Sequence, residues 1–327
     1  HPTMSQIKAI SAIEILDSRG RPTLFATCQF ADGTIGQASV PSGASTGAAE
    51  ALELRDNDPK RFGGYGCLQA VKHVNEDINT ALAGENFDAQ AELDHFLVEL
   101  DGTANKARLG ANAILSVSLA FARAQAAQNE LELYQQFAQI AGLSPRLPHP
   151  MINLFSGGKH GGQQTAIQDV QIVVPNSTSI RYTLEVMSNV FRAAAKRTSE
   201  RYGVRLLTAD EGGLAPPVQS SVEMFEEAVA AIEEAGYKPG IDVALTVDVA
   251  ASHFLEDGQY HIDGDILDSH AMVDLITDWC KYFPIVSIED GLGEADWTGW
   301  QALYQQLSGQ IMILGDDLLC TNTTRIQ

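Results

Sequence analysis

PIVSIED, residues 284–290, is an apolar run rich in β-branched residues that ends in two acids. Its composition reads as a buried strand, with the acids emerging at the strand's C-terminal mouth. The pattern recurs at VALTVDV, residues 243–249, and at IMILGDD, residues 311–317. Amphipathic helical stretches such as AMVDLITDWCKYF, residues 271–283, separate these runs. Apolar strands alternating with amphipathic helices predict a parallel sheet with helices outside it.

A parallel sheet is an open doubly wound layer or a closed barrel. The dinucleotide-binding form of the open layer requires G-x-G-x-x-G directly after its first strand, and the chain has no such motif. Glu289 follows Asp248 by 41 residues and Asp316 follows Glu289 by 27. These spacings bracket the ~31 residues per βα unit of a (β/α)₈ barrel of about 250 residues, so the barrel is the expected form. In a barrel the C-terminal strand ends converge, bringing Asp248, Glu289 and Asp316 to one mouth. Three convergent carboxylates make a hard-oxygen site suited to Mg²⁺ or Mn²⁺.

Composition points the same way. Acids number 42 against 21 bases, a net charge of −21. That balance disfavours nucleic acid and anionic membrane as partners. An acid-rich site serving an anionic substrate needs cations to reverse its local sign. The four cysteines, at 28, 67, 280 and 320, form no C-x-x-C pair, which argues against zinc and against a disulfide framework. No apolar run reaches the ~18 to 20 residues of a membrane span and no signal peptide is apparent, so a cytoplasmic location is expected.

Upstream of the strand-and-helix region the pattern changes. IKAISAIEILDS and TLFATCQFADGTIGQASV read as an antiparallel meander with Asp32-Gly33 at a hairpin turn. CLQAVKHVNEDINTALA and NAILSVSLAFARAQAAQNE carry helical periodicity. Pro145, Pro148 and Pro150 mark a boundary. The expected organisation is an N-terminal α+β domain over 5–140 and a β/α barrel domain over 141–327.

Three loops carry candidate chemistry. TADEGGLAPP, residues 208–217, sets Asp210 and Glu211 before a glycine pair that lets backbone approach a ligand. PSGASTGAAE, residues 41–50, is a small-residue loop able to act as a lid. SGGKHGGQQTAIQD, residues 156–169, brings Lys159, His160, Gln168 and Asp169 around a glycine-rich turn.

Seven segments, in order, resemble the enolase family: EILDSRGRPT, VPSGASTGAAEALELRD, KARLGANAILSVSLA, TADEGGLAP, VDVAAS, PIVSIED and GDDLLCTN. The resemblance runs from about residue 10 to the last residue. It implies an enolase-type (β/α)₈ barrel behind an N-terminal α+β capping domain. The activity it implies is a lyase's, the Mg²⁺-dependent, reversible dehydration of 2-phosphoglycerate to phosphoenolpyruvate in glycolysis, carried out by a homodimer.

Position by position, the resemblance implies that Asp248, Glu289 and Asp316 hold one Mg²⁺ and that Ser45 contacts a second. Glu211 is implied as the acid that helps the 3-hydroxyl leave, a role favoured by a raised pKa if it is buried near other carboxylates. Asp169 is implied as a further catalytic carboxylate, His160, Gln168 and Ala44 as substrate contacts, and Asp317 as a partner to a lysine. That lysine, the base in this family, falls in three further βα units that the five-strand count leaves outside the 327 residues.

Four positions depart from the family: Asp169 stands for Glu, Ser156 for Asn, Gly291 for Pro and Arg21 for Asn. Two alternatives therefore stand beside the enolase reading. One is a paralogue acting on a related phosphorylated or phosphonylated three-carbon acid; the other is a catalytically inactive binding protein.

Overall fold

The computed structural model describes residues 5–43, 46–205 and 207–327. The chain divides into two compact units, one formed by residues up to Gly43 with Glu50–Leu147, the other by Pro148–Gln327 with a short segment ending at Ala49.

In the first unit, β1 (Ser5–Leu16), β2 (Pro22–Phe30) and β3 (Ile35–Ser39) form an antiparallel meander, and β4 (Asn86–Phe87) pairs with the start of β1. Alternation along β1 buries Ile7, Ile10 and Ala12 on one face. Beyond β4 the outer edge of β1 is covered by α1 (Leu68–His73), which runs through a π-turn (Val74–Ile78) into α2 (Asn79–Leu82). Asn79 Oδ1 accepts from the Ile10 N–H at 2.8 Å and Asn75 Oδ1 from that of Ala12 at 2.7 Å. These side chains satisfy backbone groups that an open strand edge would leave free to pair with another chain.

Helices α3 (Gln90–Asp101), α4 (Ala111–Gln128) and α5 (Leu133–Ala141) complete the unit. The alanine-rich α4 packs directly on β3: a Cβ at Gly36 would stand 2.2 Å from the Ala120 carbonyl oxygen. Phe121 fills the space above the sheet, edge-on to Phe30 at 5.5 Å between ring centres.

The second unit is built on five strands in the order β12-β11-β7-β6-β5: β5 (Met151–Ser156), β6 (Asp169–Val173), β7 (Ala244–Asp248), β11 (Ile285–Glu289) and β12 (Met312–Leu314). β7, β11 and β12 run parallel, but β6 is antiparallel to both neighbours, which corrects the expectation of a parallel sheet. A parallel pair needs a crossover, usually a helix, and the twelve residues between β5 and β6 form a glycine-rich loop with no helix. Two helices in tandem, α6 (Ile180–Tyr202) and α7 (Ser221–Glu234), then connect β6 to β7.

Between β7 and α8 (Ser269–Tyr282) lies a small antiparallel sheet of β8 (Leu255–Glu256), β9 (Gln259–Ile262) and β10 (Asp265–Leu267), which the periodicity reading did not include. Its turns are Asp257-Gly258 and Asp263-Gly264, all four residues at positive φ, the combination that two-residue hairpins favour. α9 (Trp297–Leu307) joins β11 to β12, and a short α10 (Thr323–Ile326) follows. Gly291 is explained by packing: a Cβ there would come within 3.0 to 3.1 Å of Ile276, Ile288 and Leu303. Among the described residues no helix is long and apolar enough to cross a membrane.

Candidate active site

Strand register sets one row of residues across the second unit's sheet. Ser156 pairs with Asp169, Asp169 with Asp248, Asp248 with Glu289, and Glu289 with Leu314. Asp169 joins this row because β6 runs backwards, so that its first residue lies beside the last residues of its neighbours. Reversal of one strand thus recruits Asp169 and the preceding Gln168 to the edge where the other strands deliver their acids.

Two groups occupy this edge. In the first, Asp169 is 1% exposed. Its Oδ1 accepts the Ser156 hydroxyl at 2.5 Å, and its Oδ2 lies 2.7 Å from His160 Nδ1. Burial acts to lower the His160 pKa, but the hydrogen bond and charge of Asp169, with Glu211 and Asp210, outweigh it and leave the imidazole above its ordinary value. His160 Nε2 is buried and has no hydrogen-bond partner among the described residues. Ser156 itself is locked in place, since a Cβ at Gly213 would stand 2.3 Å from its hydroxyl.

Glu211 Oε2 lies 3.7 Å from His160 Nδ1 and accepts from Asn153 Nδ2 at 3.2 Å. Its side chain is 46% exposed, so the burial invoked for a raised acid pKa is not found here. Asn153, which the sequence reading passed over, is held in turn by Gln171 at 3.1 Å.

The second group is Asp248, Glu289 and Asp290, whose carboxylate oxygens come within 4.8 Å of one another. Burial, then the charges of Glu289, Asp290, Asp169 and Asp317, push the Asp248 carboxyl well above its usual range. Burial, then Asp290, Asp316, Asp317 and Asp169, raise Glu289 to about 7. Mutual repulsion in a poorly solvated place is the shared cause. Among the described residues the Asp248 carboxylate accepts two hydrogen bonds, from Gln168 Nε2 to its Oδ2 at 3.1 Å and from the Ala250 N–H to its Oδ1 at 3.1 Å. The Gln168 side-chain oxygen, Oε1, is buried without a partner among the described residues.

Asp290 was absent from the candidate ligands read in the sequence. It is 3% exposed, and its carboxylate accepts the N–H groups of Asp316, Asp317 and Leu318 at 3.1, 2.8 and 3.1 Å. Asp316 lies in the turn so held, two residues beyond Leu314. Asp317 Oδ2 lies 3.8 Å from His253 Nε2, and burial with the charges of Lys159 and His160 lowers His253 to about 4. Ala44 and Ser45 lie outside the described residues. Three positions after Ser45 in the sequence, the Ala48 N–H donates to Glu294 Oε2 at 2.7 Å.

Residues 7–137 match the family described as enolase, N-terminal domain, and residues 144–327 match enolase, C-terminal TIM barrel domain. The chain belongs to the enolase superfamily. Within that superfamily the edge row is where an enolase-like lyase would be sought, and the acids gathered there could hold a metal ion. The donor set fits a hard divalent cation: carboxylate oxygens in excess, no thiolate, and raised carboxyl pKa values that a cation would bring down.

Proposed function

We propose that this enolase-superfamily protein is a phosphopyruvate hydratase, interconverting 2-phosphoglycerate and phosphoenolpyruvate with two Mg²⁺ ions. One observation carries the reading: Asp248 and Glu289 are paired at the ends of adjacent strands with the Asp290 carboxylate beside them, and burial with neighbouring acids pushes both carboxyls up, a repulsion that a bound cation would relieve. Asp248, Glu289 and Asp316 would hold one ion, and Ser45 would touch the second. Bound Mg²⁺ supplies charge neutralisation for the ene-diolate formed when the proton beside the substrate carboxylate is lost; enolase-superfamily sites are a standard example of that chemistry.

The chain's own residues would bind and orient the substrate. Asp169 accepts from His160 Nδ1–H, which leaves Nε2 to meet an oxygen of the anionic substrate. The raised imidazole pKa favours the cationic form for that contact. Gln168 steadies Asp248 through its amide nitrogen and offers its free carbonyl oxygen to a substrate hydroxyl. Glu211, oriented by Asn153, gives its proton to the departing 3-hydroxyl. Ala44 would line the substrate, and Asp317, 3.8 Å from His253 Nε2, would partner the lysine base that the family resemblance implies. It would act in the cytoplasm as a homodimer, and static light scattering at working concentration checks the dimer through a mass twice that of one protomer.

The test is the appearance of enol absorbance from 2-phosphoglycerate and Mg²⁺ with purified full-length protein that carries the lysine base, abolished by chelator. No product from that protein at any Mg²⁺ concentration overturns the assignment. A second reading, a paralogue for a phosphonylated three-carbon acid, is favoured by one contact. The two departures Ser156 and Asp169 touch each other at 2.5 Å, so they form a matched pair. A higher kcat/KM for the phosphonate than for 2-phosphoglycerate would establish it in place of the first.

A further inference from the structure

Three carboxylates stand close enough to share an ion, Asp248, Glu289 and Asp290, but their surroundings differ. The Asp290 carboxylate has about four acceptor positions, and three are filled by backbone N–H groups of one turn: Asp316 and Asp317 on Oδ2, Leu318 on Oδ1. Its backbone is engaged as well. Its N–H donates to the Leu314 carbonyl at 3.0 Å and its carbonyl accepts from the Ala251 N–H at 3.0 Å. The ends of β7, β11 and β12 therefore meet at this one residue.

Asp290 also sits at φ +46°, in the left-handed region that a non-glycine residue adopts only when its surroundings hold it there. We infer that Asp290 is a positioning residue: it clamps the 316–318 turn so that Asp316 is fixed beside Glu289, and it is not itself a ligand. Ligation by Asp290 would be confined to the one acceptor position left, on Oδ1, or would have to break a bond to one of the three N–H groups. Holding the turn instead sets the backbone from which the Asp316 side chain springs, before any ion arrives. Outer partners that orient ligands commonly carry ten- to a hundredfold in metal affinity.

The inference rests on the metal reading above and is separable from it by a double-mutant cycle read by Mg²⁺ calorimetry. Asp290→Asn is expected to weaken Mg²⁺ binding about tenfold. In an Asp316→Asn background the same change is expected to cost less than about twofold, because the residue through which it acts is gone. Losses that add in full would make Asp290 an independent ligand and overturn the inference while leaving the metal reading intact. Wild-type protein that binds no Mg²⁺ would overturn both.

Amide hydrogen exchange without metal supplies the second measurement. Asp290→Asn should speed exchange at Asp316, Asp317 and Leu318, whereas Asp316→Asn should leave those amides slow; unchanged rates in Asp290→Asn count against the clamp. Should Asp290→Asn not fold, Asp290→Gly takes its place, since glycine accepts the positive φ freely.

Discussion

Asp169 and Asp248 are paired across adjacent strands, yet their carboxylates live in opposite surroundings. Asp169 receives a hydroxyl and an imidazole N–H, and its charge and hydrogen bond hold the His160 imidazole above its ordinary pKa. Asp248 receives an amide and a backbone N–H, but burial and the charges of Glu289, Asp290, Asp169 and Asp317 hold its carboxyl well above the usual range. The first is finished by the polypeptide and stabilises the fold as it stands. The second is left with mutual repulsion, which a bound cation would relieve. Adjacent positions in one register row can therefore have opposite signs in their contribution to folding.

The sharpest way to break this comparison is to truncate both acids. Asp169→Ala strands a buried imidazole and a buried hydroxyl, so the protein should lose about 3 to 5 kcal/mol in urea or thermal unfolding. Asp248→Asn should behave oppositely without metal, becoming more stable than wild type because a repulsive charge is gone. The same variant should lose at least about a hundredfold in Mg²⁺ affinity, about 2.7 kcal/mol, by calorimetry. A metal-free Asp248→Asn that melts below wild type would show that Asp248 is already compensated.

pH gives the next largest effect. Glu289 titrates near 7 in the folded protein, above the ordinary 4.5, so the folded metal-free state binds more protons than the unfolded state between those values. Stability should then fall as pH rises from about 4.5 to 7, and the raised His160 pKa adds a loss of the same sign above its ordinary value. Thermal melting of metal-free protein at pH 5 and pH 7.5 reads this slope directly. Saturating Mg²⁺ should flatten it, and binding at pH 6 should release on the order of one proton, measurable from buffer-dependent heats.

The smallest change sharpens the finished side. Ser156→Ala removes one donor from Asp169 and should cost about 1 kcal/mol, with Mg²⁺ affinity nearly unchanged. A large drop in Mg²⁺ binding would mean that the two groups are one.

The strand-end acids were legible because an apolar run that ends in acid is a local pattern, and Asp248, Glu289 and Asp316 all fall at or just beyond strand ends. The direction of β6 was not, because DVQIVV reads the same whichever way the strand runs. What decides it is the lack of a helix in 157–168. The small sheet at 255–267 was announced by Asp257-Gly258 and Asp263-Gly264, but its strands of two to four residues are too short for periodicity to register. Asp290 escaped notice because its partners are backbone N–H groups 26 to 28 residues away, which no side-chain pattern encodes. The exposure of Glu211 depends on how the 208–217 loop lies, which its composition does not determine.

The register row has a consequence for how such a protein can change over generations. The ends of the 157–168 loop are tied down, Gly157 N–H donating to the Gln168 backbone carbonyl at 2.7 Å and Gln168 N–H to that of Asp248 at 3.1 Å, so residues can be gained or lost without disturbing His160 or Gln168 only in the stretch between them, 161–164. One residue lost within β6 would shift every later side chain to the other face of the sheet. Lineages descending from this chain should therefore vary in length within that middle stretch while every surviving copy keeps the reading frame of the strand.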